Sequence, residues 1–130
     1  MNLSVTAALI IIVSAVVLYS RSSVSAPQSP DGQVIAQLVK AGSNLSKTHN
    51  IEFFLYFPTQ QSAEKIAEKL NNDGFSTTVK QSTSSKEALL QAKKSMLPLE
   101  SELAALREKL NTLSVSEGGI YDGWGTEIEK

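Results

Sequence analysis

IEFFLYF, residues 51–57, is the stretch of sequence that decides the fold of this chain. Aromatic and aliphatic residues dominate it and Pro58 ends it, which is typical of a β-strand. Alternate residues of a strand point to opposite sides, so one face carries Ile51, Phe53, Leu55 and Phe57. The other face carries Glu52, Phe54 and Tyr56. The sequence therefore predicts a strand that is at least partly covered on both faces.

A helix and two more strands are predicted after this strand. Thr59 is suited to cap a helix whose apolar residues recur at helical spacing, namely Ala63, Ile66, Ala67 and Leu70. Gly74 ends that helix, and the alternation from Phe75 to Val79 predicts a strand. Residues 87–96 (EALLQAKKSM) have a composition that favours helix, although their alternation also fits a strand. We predict a strand there, because it completes a sheet in which all strands can pair.

Two further helices and a last strand complete the predicted order. Residues 31–42 carry an apolar stripe that ends at Gly42, which predicts a short first helix. Pro98 suits the first turn of a helix with leucines at 99, 103, 106, 110 and 113, and residues 120–128 predict a strand. The order predicts an α+β domain of the ferredoxin-like β-α-β-β-α-β type, preceded by a short helix. Such a domain has a four-stranded antiparallel sheet with two helices on one face.

The beginning of the chain differs from the rest. Residues 3–19 are uncharged and mostly apolar, and at roughly 25 Å they are long enough for a short transmembrane helix. A cleaved signal peptide is the alternative, but no Lys or Arg precedes the run, and Pro27 would follow the cleavage site. We expect an anchor over residues 1–20, a Ser- and Pro-rich linker over 21–30 and a domain over 31–130. Arg21 predicts a single-pass protein of the cell membrane with its domain in the cytoplasm.

Composition excludes several classes of site. The chain has no cysteine and one histidine, so it offers neither a thiolate metal site nor a pair of histidine ligands. A formal net charge of -1 gives no broad basic surface, so we expect no direct contact with nucleic acid. The sequence has no phosphate-binding loop or dinucleotide motif, so no cofactor is expected.

Two stretches carry a resemblance to a known family. YDGWGT, residues 121–126, has an unusual composition for a strand, and HNIEFFLYFPT, residues 49–59, contains the first strand. With the order of elements, they make residues 31–130 resemble the regulator of ribonuclease activity B family. The resemblance implies a ferredoxin-like domain without enzymatic activity that binds and restrains an endoribonuclease, ribonuclease E. Unlike the family's namesake, the chain has no strongly acidic segment beside the domain, and it has an apolar leader.

These observations predict a membrane-tethered, non-catalytic protein-interaction domain that regulates a ribonuclease in RNA decay. A periplasmic binding or accessory domain is the alternative if the leader is cleaved. A small hydrolase that uses His49 and a serine is a third interpretation, although no serine stands in a GxSxG motif.

The YDGWG stretch is the candidate binding site. On an unbroken strand Ile120, Asp122 and Trp124 share the core face, and Tyr121 lies beside the two glycines on the other. Glycines in a strand often mark a β-bulge or a close approach of the backbone. Two alternatives therefore stay open, a bulge or tight packing with Trp124 buried, and a docking groove edged by Tyr121. A bulge at Gly123 would exchange the two faces. The candidate partner-binding residues are Tyr121, Asp122, Gly123, Gly125 and His49. The predicted core residues are Trp124, Phe53, Leu55 and Phe57.

His49 has two interpretations of its own. It pairs with Asp122 if the sheet brings the two residues together, or it lies in a solvated loop before the first strand.

Overall fold

The computed structural model describes residues 29–130, so the predicted anchor and most of the predicted linker lie outside the described residues. The elements in chain order are α1 (Pro30–Lys40), β1 (His49–Phe57), α2 (Gln60–Asn72), β2 (Ser76–Gln81), β3 (Ala88–Met96), α3 (Glu100–Ser116) and β4 (Ile120–Gly125). The predicted order of elements is confirmed, including a strand at β3 where composition favours helix. None of the helices in residues 29–130 combines the length and the apolarity needed to cross a bilayer.

The strands form one sheet in the order β2-β3-β1-β4, and every neighbouring pair is antiparallel. This confirms the predicted α+β class with four antiparallel strands, and three helices accompany them. β1 lies inside the sheet between β3 and β4, which leaves β2 and β4 as the edges. The connection from β1 through α2 to β2 skips one strand position, and β3 fills that position.

The core lies between the helices and one face of the sheet, called the inner face below. Side chains from all three helices and from β1, β3 and β4 form a single apolar cluster there. Phe53, Leu55 and Phe57 are buried in it, as is Trp124. Thr59 caps α2 as predicted, because its hydroxyl accepts a hydrogen bond from the Ser62 amide at 3.1 Å. The inner face of β1 therefore carries the helical layer.

The opposite face of the sheet, called the outer face, is built from cross-strand rows. One row runs Lys80, Leu89, Tyr56 and Ile120 across β2, β3, β1 and β4. The next runs Thr78, Gln91, Phe54 and Gly123, and a third runs Ser76, Lys93, Glu52 and Gly125. Tyr56 is 42% exposed and Ile120 is 65% exposed, whereas Phe54 and Leu89 are half-buried. Solvent therefore reaches the outer face of β1 at Tyr56, whereas Phe54 on the same face is partly covered.

Glycine is required where α3 turns back into β4. A side-chain carbon at Gly119 would collide with the Tyr56 carbonyl oxygen and the Phe57 ring, and Gly118 has a φ of 75°. These two glycines let β4 start close beside the end of β1. β4 itself ends at Gly125 and is shorter than the predicted strand over residues 120–128.

Candidate functional site

A β-bulge interrupts β4 in the middle of the candidate site. Gly123 lies opposite Phe54 while Tyr121 lies opposite Leu55, so Asp122 has no partner residue on β1. Gly123 has a φ of 115°, a conformation that glycine adopts without a steric penalty. The extra residue reverses the alternation for the residues before it. Tyr121 therefore joins Trp124 on the inner face, and Ile120 moves to the outer face.

The faces expected for Tyr121 and Ile120 on an unbroken strand are therefore wrong. Tyr121 does not edge a glycine-floored groove, because it packs against the core from the inner side. Ile120 is exposed beside Tyr56 and does not belong to the core. Gly123 and Gly125 do lie on the outer face, in register with Phe54 and Glu52, and both are buried. Asp122 is exposed at the bulge.

A buried carboxylate connects three elements behind this strand. The Trp124 indole Nε1 donates to Asp31 Oδ1 at 3.0 Å, and Arg107 Nε donates to Asp31 Oδ2 at 2.8 Å. Asp31 is only 1% exposed and Trp124 is fully buried. Because Asp31 lies in α1 and Arg107 in α3, one side chain joins both helices to β4. Both carboxylate oxygens have donors, which is the condition under which a buried charge is tolerated.

Tyr121 lies close to this charged pair but does not bond to it. Its hydroxyl is buried and has no hydrogen-bond partner among the described residues. Burial raises the pKa of the Tyr121 hydroxyl well above its ordinary value, and the negative charge of Asp31 raises the pKa further. The hydroxyl therefore stays protonated at physiological pH.

Replacing Tyr121 by phenylalanine is expected to leave the free energy of unfolding unchanged or to raise it by up to about 1 kcal/mol. The substitution removes a buried hydroxyl that has no partner, and leaving such a group unsatisfied costs about 1–3 kcal/mol. Denaturant unfolding of the wild-type and Tyr121→Phe proteins measures the difference. A loss of 1 kcal/mol or more would mean that the hydroxyl makes a favourable interaction in solution.

His49 is buried at the start of β1, and it is neither solvated nor near Asp122. Its Nδ1 lies 2.9 Å from the Lys47 carbonyl oxygen, which only accepts, so Nδ1 carries a hydrogen. Its Nε2 lies 2.7 Å from the Ser43 hydroxyl, which itself accepts from the Glu129 amide at 2.9 Å. The ring therefore holds the loop before β1 to the residues after β4.

The contact between Ser43 and His49 does not form a catalytic site. A nucleophile and base need access to substrate, but the His49 ring is fully buried. Asp122 lies beside Phe54 and Leu55, about 17 Å along β1 from His49 at the rise of an extended strand. The three groups of a Ser-His-Asp triad are therefore not brought together. In residues 29–130 no group of three or more His, Cys, Asp and Glu side chains is arranged to hold a metal ion.

Two shallow clefts lie on either side of Tyr56 at the exposed end of the outer face. The cleft towards β2 is lined by Tyr56, Leu89, Lys80 and Glu87 among others. The cleft towards β4 is lined by Tyr56, Pro58, Ile120, Glu87 and Asp122 among others. Glu87 borders both. Tyr56, Ile120 and Glu87 were not predicted as site residues, and the only sequence signal for them is that Tyr56 lies on the less apolar face of β1.

Comparison with known families gives one finding that bears on the whole domain. The family model described as "Regulator of ribonuclease activity B" matches residues 28–126. The match includes all the helices and strands described above. No curated protein matches the chain.

Proposed function

This chain belongs to the regulator of ribonuclease activity B family, and from that premise we propose that it binds an endoribonuclease of the ribonuclease E type and restrains it at a membrane. Members of the family are regulators that inhibit a ribonuclease and are not themselves enzymes, so the chain is a non-catalytic regulator. The observation that carries the proposal is the family match across the sheet and its helices.

The chemistry of the described residues supports binding of a protein. The His49 ring and the Tyr121 hydroxyl are both buried, so neither group is open to a substrate. The outer face of the sheet exposes the neighbouring side chains of Tyr56 and Ile120 to a partner. Burying these side chains against a protein would be favourable, because burial of apolar area is the main driving force of association.

Inhibition of a purified ribonuclease tests the proposed function. We expect the rate at which ribonuclease E cleaves a single-stranded RNA to fall as full-length protein is added, and to reach a plateau at saturation. An endoribonuclease of another family is the control and should keep its rate. If the two proteins form no complex in gel filtration and the cleavage rate is unchanged, the proposed function is wrong.

The membrane part of the proposal is supported by sequence. Residues 3–19 contain no charged residue, and Arg21 follows them. We therefore propose that residues 1–20 anchor the protein and that the domain lies in the cytoplasm. The full chain is expected to resist extraction by carbonate and to keep its N-terminal residues in an intact-mass measurement. A mature protein that begins at Pro27 would instead support the periplasmic alternative.

A further inference from the structure

We propose that the exposed end of the outer face binds a cationic amphipathic helix of the partner protein. The surface, called the Tyr56 surface below, is centred on the cross-strand row of Leu89, Tyr56 and Ile120. Phe54 lies in the next row, and Glu87 and Asp122 lie at the edges of the adjoining clefts. The inference deepens the proposed function, because it rests on that function for the identity of the partner as a ribonuclease.

The apolar part of the Tyr56 surface is continuous across three strands. Leu89 lies opposite Tyr56 on one side, and Ile120 lies opposite Tyr56 on the other. Tyr56 and Ile120 belong to the exposed large apolar residues of the described chain, whereas Leu89 and Phe54 are half-buried. Apolar side chains that are neighbours on one face form a patch, and exposed apolar patches mark interaction sites, unlike single exposed apolar residues.

The spacing of this row suits a helix that lies along it. Neighbouring strands are about 4.8 Å apart, so Leu89 and Ile120 are about 10 Å apart across the sheet. One helical turn advances about 5.4 Å, so two turns cover the same distance. Apolar residues at positions i, i+3 or i+4, and i+7 of the partner helix would then enter the clefts on either side of Tyr56.

The charges around the row select a cationic partner. Glu87 and Asp122 are both exposed, and neither carboxylate is in an ion pair within the described part of the chain. Lys80 is the one basic residue that lines the two clefts, so carboxylates outnumber ammonium groups there. Farther along the outer face, Lys93 already pairs with Glu52 at 3.4 Å. Lysine or arginine residues beside the apolar stripe of a partner helix would therefore form ion pairs with these carboxylates.

Two synthetic helical peptides test the chemistry of the surface without the ribonuclease. Both carry the same leucine stripe, and one has lysine and the other glutamate beside it. Binding is measured by fluorescence anisotropy with the full chain in nanodiscs of zwitterionic lipid, and empty nanodiscs give the background. We expect the lysine peptide to bind at least about tenfold more tightly than the glutamate peptide. Equal affinities would overturn the proposal.

Matched variants locate the binding site. Ile120→Ser removes an exposed side chain from the surface, and Val39→Ser removes one of similar exposure, 55% against 65%, from α1. We expect Ile120→Ser to weaken binding of the lysine peptide on the order of tenfold and Val39→Ser to leave it unchanged. Circular dichroism melts are used to check that both variants fold. Equal effects of the two substitutions would overturn the proposal.

A second pair of variants tests the charges. Glu87→Lys with Asp122→Lys reverses both carboxylates of the surface, and Glu68→Lys with Glu108→Lys makes the same change in net charge on the helical layer. Only the variant with Glu87→Lys and Asp122→Lys is expected to bind the lysine peptide more weakly and the glutamate peptide more tightly. If the second pair does the same, the attraction reflects overall charge and the proposal fails.

The same variants assayed with ribonuclease E separate this proposal from the proposed function. If wild-type protein inhibits the enzyme and Ile120→Ser inhibits it equally well, the Tyr56 surface is not the docking site although the function stands. If wild-type protein does not inhibit the enzyme, the proposed function is wrong whatever the peptides show. If wild-type protein inhibits the enzyme and Ile120→Ser does not, the result supports both the proposed function and the Tyr56 surface as the docking site.

Discussion

Trp124→Ala is expected to remove a large part of the free energy of unfolding of this domain. The indole is fully buried among side chains from the helices and from β1, and truncating a buried Trp typically costs about 3–5 kcal/mol. The substitution also removes the Nε1 donor from Asp31 Oδ1. A domain of this size is stabilised by about 5–15 kcal/mol, so the loss takes a large part of the total. Urea unfolding followed by far-ultraviolet circular dichroism measures it.

Trp124→Phe is the matched control for this prediction. Phenylalanine keeps much of the apolar volume but has no N–H group to donate to Asp31. We expect an intermediate loss of about 1.5–3 kcal/mol, which is the range for a hydrogen bond to a charged group. A folded Trp124→Ala protein with an unchanged urea midpoint would show that the indole is not part of the core in solution.

Periodicity predicted most of the elements because most of them bury one face. β1 is the clearest case, since its inner residues are buried and its flanking Pro58 sets its end. At β3 the local composition favours helix, but Ala88, Leu90 and Ala92 bury their side chains at a spacing of two. Pairing with both β1 and β2 outweighs helix propensity there, because propensity contributes less per residue than burial does.

The candidate site was harder to predict because a β-bulge changes which face each residue occupies. Nothing in the letters of YDGWG distinguishes an unbroken strand from one with an extra residue at Asp122. The two glycines permit either conformation, and the register is decided by which residues of β1 they meet. The extra residue places Tyr121 on the inner face and Ile120 on the outer face. The exposed apolar side chains therefore lie around Tyr56 and not around Tyr121, as the unbroken strand would have had it.

Buried polar contacts between distant residues were not predictable from the sequence either. Asp31 stands near the start of a helix, where an acidic residue usually lies in solvent and interacts with the helix dipole. Its partners Arg107 and Trp124 lie in other elements, 76 and 93 residues farther along the chain. The contact of His49 with Ser43 is close in sequence, but burial of the ring depends on the residues that follow β4.

Asp31→Ala is expected to cost about 3 kcal/mol, although it removes a residue whose type is normally at the surface. The substitution leaves the Trp124 Nε1 hydrogen buried without an acceptor and leaves the Arg107 guanidinium without its partner. Breaking a buried pair typically costs about 3–5 kcal/mol. The low end applies here because the Arg107 side chain is 37% exposed and can turn towards water. Glu68→Ala on the exposed side of α2 is the control and should change stability by less than about 0.5 kcal/mol.

A double-mutant cycle shows whether the carboxylate acts through the indole. Asp31→Ala is measured by urea unfolding in the wild-type protein and in Trp124→Phe, where the donor to Asp31 Oδ1 is already absent. If the two side chains interact as the 3.0 Å contact indicates, the second loss is smaller than the first by about 1 kcal/mol or more. Equal losses in both backgrounds would contradict this contact. They would mean that Asp31 stabilises the domain through Arg107 alone, and that α1 is held to α3 rather than to β4.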